Sequence, residues 1–132
     1  MKIAYSIALY NLINKILFTN AEGKEVERDL PFNVKYKLQK DMDIVSKDYA
    51  KFEEKRTELI KEYGAEKDGK MTVTDENLET YKTKLIEYLD TEIDHKFYTL
   101  TEEEIGTIKD VKAECHEMEL FIMYLSKTED GI

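Results

Sequence analysis

The side chains with the strongest intrinsic chemistry are one cysteine, Cys115, and two histidines, His95 and His116. A zinc site draws three or four ligands from such residues, usually through C-x-x-C or H-x-x-x-H pairs that aim two donors at one metal. Neither pair occurs. Cys115 and His116 are adjacent, so on a helix their side chains diverge by about 100°, and His95 is distant in sequence. The expectation is that no metal or other cofactor is bound, with Cys115 acting as a small hydrophobe between Val111 and Met118. Ser6, Ser46 and Ser126 sit in no strand-turn-helix elbow, and there is no phosphate-binding glycine loop. Carboxylate pairs such as Glu53 with Glu54, or Glu117 with Glu119, have the right groups for acid–base work. In a chain that is 37% charged, they read more simply as solvated helix faces. The chain is therefore expected not to be an enzyme.

Recognition chemistry remains. The net charge is −9 and is unevenly placed: residues 87–132 carry 13 acidic and 4 basic side chains, while residues 1–86 carry 16 of each. An acidic third repels nucleic acid and attracts basic protein surfaces. The candidate partner-binding residues are Glu102, Glu103, Glu104, Asp110, Glu114, Glu117 and Glu119. The bland alternative is that they only keep the chain soluble. Between Lys35 and Lys70, 10 basic residues interleave with 9 acidic ones, which cancels any field able to hold a phosphate backbone, so direct nucleic-acid binding is not expected. Nine tyrosines, among them Tyr36, Tyr49, Tyr88 and Tyr98, line the edges of a thin core or mark a partner surface.

The elements that must position these residues follow from hydrophobic spacing. Leu38, Met42, Val45, Tyr49, Phe52, Leu59 and Tyr63 step by threes and fours and predict a coiled-coil seam on one long helix over 31–63. At 1.5 Å per residue that helix spans about 50 Å. Arg56 interrupts the seam, where it either snorkels outward or fixes register by meeting a carboxylate. Pro31 suits the first turn, Asp29 its cap or a first-turn carboxylate, and Gly64 a left-handed C-terminus. Residues 1–19 predict an N-terminal helix whose apolar side chains wrap more than one face, as in burial or an oligomer contact. Residues 20–30 read as a loop or short edge strand, and Lys67-Asp68-Gly69 as a turn leading Lys70 to Val73 into a small hairpin or edge strand. Thr74 is placed to cap a second seam helix over 75–91, folded back antiparallel on the long one. Alternation at Ile93, His95, Phe97 and Thr99 predicts a strand over 92–99. Thr101 and Glu104 then make a capping box, with Leu100 and Ile105 as its staple. Helices over 101–126 follow, the last with Val111, Cys115, Met118, Ile122 and Leu125 on one face, and Thr128 to Ile132 fray.

Together these predict one domain over 1–132 of a mainly α (α+β) class: an antiparallel long-helix hairpin with additional N- and C-terminal helices and a small β element. Tyr5, Ser6, Tyr10, Asn11, Asn14 and Lys15 break the first apolar stretch, which is too short and polar to span a bilayer or serve as a secretory signal. No membrane association is expected. A single cysteine forms no internal disulfide, which makes a reducing cytoplasm the default compartment.

The arrangement resembles a family of small acidic phage-encoded proteins known as domain of unknown function 1617. The resemblance lies in an apolar N-terminal helix, Leu30-Pro31 with Val34, Tyr36 and Leu38 opening a long charged helix, and the closing runs Phe52-Glu53-Glu54-Lys55-Arg56 and Leu59-Ile60-Lys61-Glu62-Tyr63-Gly64. It continues through the second charged helix, the alternating segment at Ile93 and the apolar Met118 to Leu125, and supplies no catalytic residues. It implies a phage or prophage protein working by binding a host or phage protein in the cytoplasm of an infected bacterium. Two jobs then compete. One is inhibition of a host protein such as an immune (CRISPR-type or other anti-phage) nucleic-acid-binding effector through the acidic surface. The other is a virion or tail-assembly role, structural or chaperone, through helical oligomerisation, for which a homodimer is one form.

Overall fold

Fifteen residues without proline, glycine or an acidic side chain, Ile3–Leu17, form the first helix, α1, in a computed structural model that describes residues 1–127. The expected fraying of Thr128 to Ile132 lies outside the described residues. Leu9, Leu12, Ile13, Ile16 and Leu17 are all buried, so the apolar girth of α1 serves burial between other elements. The helix ends two residues before the expected limit at 19. Phe18 and Thr19 instead open a strand, β1 (Phe18–Ala21), which pairs antiparallel with β2 (Lys24–Glu27). The turn between them is Glu22-Gly23, with φ of 53° and 78°, the two consecutive left-handed residues that a tight hairpin matched to strand twist requires.

The long helix, α2 (Phe32–Tyr63), forms as its spacing predicts. Leu38, Val45 and Leu59 are buried and Met42, Tyr49, Phe52 and Tyr63 partly so, while Tyr10 of α1 stacks on Tyr49 with ring centroids 4.1 Å apart. Three details at its ends are corrected. Pro31 stands at the N-cap in an extended conformation rather than in the first turn, and no side chain, Asp29 included, caps the helix. Gly64 ends it with φ −109°, not in the left-handed region. Glycine is needed there for space: a Cβ would run into the carbonyl oxygens of Ile60 and Thr72, the latter at 2.6 Å.

Gly64 begins β3 (Gly64–Lys67), paired antiparallel with β4 (Lys70–Val73) through Asp68-Gly69, whose φ values are 53° and 79°. Of the two alternatives, hairpin or edge strand, the hairpin forms. The next helix, α3 (Leu78–Leu89), starts three residues later than expected. Thr74 does not cap it; Asn77 holds that position without a side-chain cap bond and sends its Nδ2 back to the carbonyl of Tyr63 at 3.2 Å. Farther along, Tyr88 lies near Asp48 and Glu54 of α2, and no residue of α3 is fully buried.

No strand forms over 92–99. The inward-outward alternation is real, with Ile93, His95, Phe97 and Thr99 turned in, but the chain runs as an extended strap. Its neighbours are helices, which offer no free edge, so only isolated bridges occur, at Glu92 with Lys2 and at Leu100 with Ser126. The capping box of Thr101 and Glu104 then starts a single turn, α4 (Glu102–Ile105), ended at Gly106. Residues 106–114 are not helical, and α5 spans Cys115–Tyr124. The face expected on α5 is corrected as well. Glu117, Leu120, Phe121 and Leu125 are buried, whereas Cys115, Met118 and Ile122 are exposed and Val111 precedes the helix.

The core is therefore α1, the first half of α2, Leu100 and the inner face of α5, closed by the strap and α4. Among the described residues no helix is long and apolar enough to cross a membrane.

Candidate interaction surface

The seven acidic candidates divide into two groups. Glu104 and Glu117 are structural. Glu104 Oε1 accepts from Lys37 Nζ at 2.7 Å and from the Thr101 N–H at 3.0 Å, and its Oε2 accepts from Asn33 Nδ2 at 2.7 Å. The Lys37 hydrogen bond, then that from Thr101, hold its carboxyl below the usual carboxylate range. Glu117 is buried at the start of α5. Burial alone would raise its carboxyl; the Glu114 N–H at 2.9 Å and Lys15 Nζ at 2.8 Å outweigh that and hold it low. Each carboxylate joins two elements, α4 to α2 in one case and α5 to α1 in the other.

The other five, Glu102, Glu103, Asp110, Glu114 and Glu119, are exposed. Glu114 faces His116 at 3.3 Å, and the remaining four form no ion pair among the described residues. Asp110 holds a left-handed φ of 60°, a conformation that aspartate tolerates better than most side chains. It stands on the wall between two depressions. One is an open groove of about 900 Å³ between the first hairpin and residues 110–114, with Lys15, Arg28 and Glu25 in its lining. The other is an apolar cleft of about 160 Å³ among Ile105, Ile108, Val111, Met118 and Phe121.

Arg28 explains how this region is fastened. Its Nε donates to the carbonyl of Ile16 at 3.0 Å, Nη2 to Lys15 at 3.3 Å and Nη1 to Lys109 at 3.2 Å. A cation is favoured at the carbonyl end of α1, and the same side chain ties down the loop that carries Asp110. Nothing in the sequence marks this role, because the partners are main-chain oxygens.

Of the side chains with intrinsic chemistry, Ser6 and His95 come together at Asp48, a meeting that spacing does not reveal, while Cys115 is exposed and His116 lies against Glu114. Ser6 Oγ donates to Asp48 Oδ2 at 2.6 Å, and His95 Nε2 meets the same oxygen at 2.6 Å. These are the residue types of a hydrolytic triad in the wrong order. The carboxylate stands between the other two and takes the serine proton's hydrogen bond, so the imidazole is not placed to act as the base. Ser6 is also fully buried, and the cluster works as a clasp that holds the strap to α1 and α2.

Seven residues earlier on α2, Asp41 makes the second clasp: its Oδ1 accepts from the Tyr98 N–H at 2.7 Å, and its buried Oδ2 has no partner among the described residues. Burial pushes this carboxyl up to about 7 against the pull of the Tyr98 hydrogen bond. Arg56 is exposed and pairs with Glu53 of its own helix at 2.7 Å, which is the snorkelling alternative rather than register fixing.

Tyr36 and Tyr98 reach the surface as a row with Phe32, whose ring lies 6.3 Å from Tyr36, while Tyr98 meets Tyr36 edge-on at 6.1 Å. Phe32, 82% exposed, falls outside the seam pattern; its sequence signal is an aromatic pair four apart lying off the seam. No family model matches the chain, and neither a curated protein nor a solved structure matches it.

Proposed function

We propose that this chain is a non-enzymatic binding protein that engages another protein through the acidic face of α4, residues 106–114 and α5. The observation that carries the reading is the division of the carboxylates: Glu104 and Glu117 build the scaffold, while Glu102, Glu103, Asp110 and Glu119, with Glu114 at the N-cap of α5, are exposed on it. With the resemblance to phage-encoded proteins, the concrete form is a phage or prophage protein that binds and inhibits a host protein in the infected cytoplasm. A nucleic-acid-binding immune effector, CRISPR-type or other, fits best, because its basic surface complements this face. In the same reading, α3 folds back antiparallel on α2 as a long-helix hairpin, with the N- and C-terminal helices packed beside it.

The test is affinity capture of the tagged protein from nuclease-treated bacterial lysate, followed by competition between it and nucleic acid for the recovered protein. Reversing Glu102, Glu103 and Glu119 to lysine should cost at least about tenfold in affinity, with helicity unchanged. Equal affinity of the reversed variant would remove the reading. The exposed row Phe32, Tyr36 and Tyr98 favours a second one, a virion or tail-assembly protein that closes an oligomer through aromatic contacts. Self-association in solution, split by Phe32→Ser, is its signature.

A further inference from the structure

Resting on the acidic-face reading, we infer that the α4–α5 face is built to receive a basic amphipathic helix of the partner protein, with one of its aliphatic side chains seated between Ile105 and Met118. Three observations converge on this occupant. The first is the cleft itself: at about 160 Å³ it has room for one large aliphatic side chain, and its walls are Ile105, Ile108, Val111 and Met118. The second is what adjoins it. Cys115, Met118 and Ile122 share one face of α5 by their i, i+3, i+7 spacing, and the latter two are 46% and 53% exposed, with Met123 farther round at 66%. Methionine there gives a polarisable surface that adapts to side chains of different shape. Positions one helical turn apart on α5 match apolar residues one turn apart on a facing helix, and no strand lines the cleft that would favour an added strand instead.

The third observation is charge. Asp110 is part of the cleft wall, Glu102 and Glu103 precede Ile105 on α4, and Glu114 and Glu119 flank the Met118 face, against the two cations Lys109 and Lys112. An apolar strip rimmed by carboxylates selects a helix whose polar side is rich in lysine or arginine. Such a helix is also the kind that lies against phosphates, so its capture would remove a nucleic-acid-binding element directly.

The test uses the full chain and a fluorescent synthetic peptide with leucines at i, i+3, i+4 and i+7 and lysines elsewhere, read by anisotropy, with a sequence-scrambled peptide of the same composition as control. The patterned peptide is expected to bind at least about tenfold more tightly than the scramble, and Ile122→Asp to remove that margin while circular dichroism stays unchanged. Equal binding of the two peptides would show attraction by charge alone and overturn the helix. Sedimentation showing a dimer that Ile122→Asp splits would assign the face to a second copy and overturn it equally. If charge reversal at Glu102, Glu103 and Glu119 abolishes partner capture while the protein does not prefer the patterned peptide, the acidic-face reading stands and this inference falls. If charge reversal changes neither, both fall.

Discussion

The two ends of the molecule use the same local grammar and reach different ends with it. At each, a helix runs directly into a hairpin of two four-residue strands joined by an acidic residue and a glycine in left-handed conformation, Glu22-Gly23 in one and Asp68-Gly69 in the other. At each, a polar side chain from beyond the hairpin returns to the helix's last carbonyls, Arg28 to Lys15 and Ile16, Asn77 to Tyr63. The first unit is folded into a core of thirteen buried residues; in the second, Leu59 is the buried apolar residue and α3 buries none. Local turn chemistry therefore fixes both hairpins, which are almost wholly exposed, and the two ends differ in how deeply their helices are buried. The acidic face, the clasps and the aromatic row all lie at the core end, where there is enough buried scaffold to hold side chains in place.

The largest expected effect tests the core end. The unfolded chain releases the Asp41 proton near the ordinary value of 3.8, and the fold retains it to about 7. Between those values the folded state binds more protons, so stability falls as pH rises through that window and levels off above it, by up to about 4 kcal/mol. Asp41→Asn keeps an oxygen for the Tyr98 N–H and removes the charge, at the cost of an unpaired amide N–H₂. Urea midpoints should show the variant less stable than the parent at pH 5 and more stable at pH 8, the curves crossing between. Parallel curves would mean that Asp41 is solvated. Glu104 and Glu117, held low, act oppositely: their contribution is present above the usual carboxylate range and is lost as pH falls through their lowered values.

Next in size is a change that should break the second hairpin and leave the first intact. Gly64→Ala drives a methyl group into the Ile60 and Thr72 carbonyls, main-chain atoms that cannot step aside, at a cost on the order of 3 kcal/mol. Gly23→Ala and Gly69→Ala meet nothing within 4 Å and carry only the strain of their positive φ, roughly 1 kcal/mol each. Hydrogen exchange should show Gly64→Ala accelerating amides of β3, β4 and α3 while those of α1 keep their protection. Uniform acceleration would show the two ends to be one cooperative unit.

How much of this is legible in the sequence depends on whether the signal is local. The α2 seam, the capping box at Thr101 and the Asp68-Gly69 turn depend on neighbours within four residues, and all three form. The strand over 92–99 fails because alternation reports a half-buried extended chain and says nothing of a partner edge. The face of α5 fails because Glu117, a charged residue outside the expected face, is buried with its bond to Lys15, more than a hundred positions earlier, while Met118 and Ile122 are exposed. Asp41 is hidden for the same reason. A carboxyl beside the seam looks polar in sequence, and only the approach of the Tyr98 main chain makes it a buried clasp. Of the acidic candidates, composition finds the region, and long-range pairing sorts Glu104 and Glu117 from the rest.

The smallest expected effect sharpens the comparison from the second end. Arg56 occupies a seam position of α2, yet its guanidinium is exposed and bonds Glu53 one turn back, an arrangement favoured by the flexible aliphatic stem lying along the helix. An exposed pair of this spacing contributes a few tenths of a kcal/mol, screened further by salt. Arg56→Ala should therefore lower stability by no more than about 0.5 kcal/mol, with the difference shrinking at high ionic strength. Arg56→Leu should be neutral or slightly stabilising, since it continues the apolar seam towards the buried Leu59. A loss of several kcal/mol in Arg56→Ala would mean that the seam at this end is specified by a buried charge after all, as the clasps specify the core end, and the contrast between the two ends would disappear.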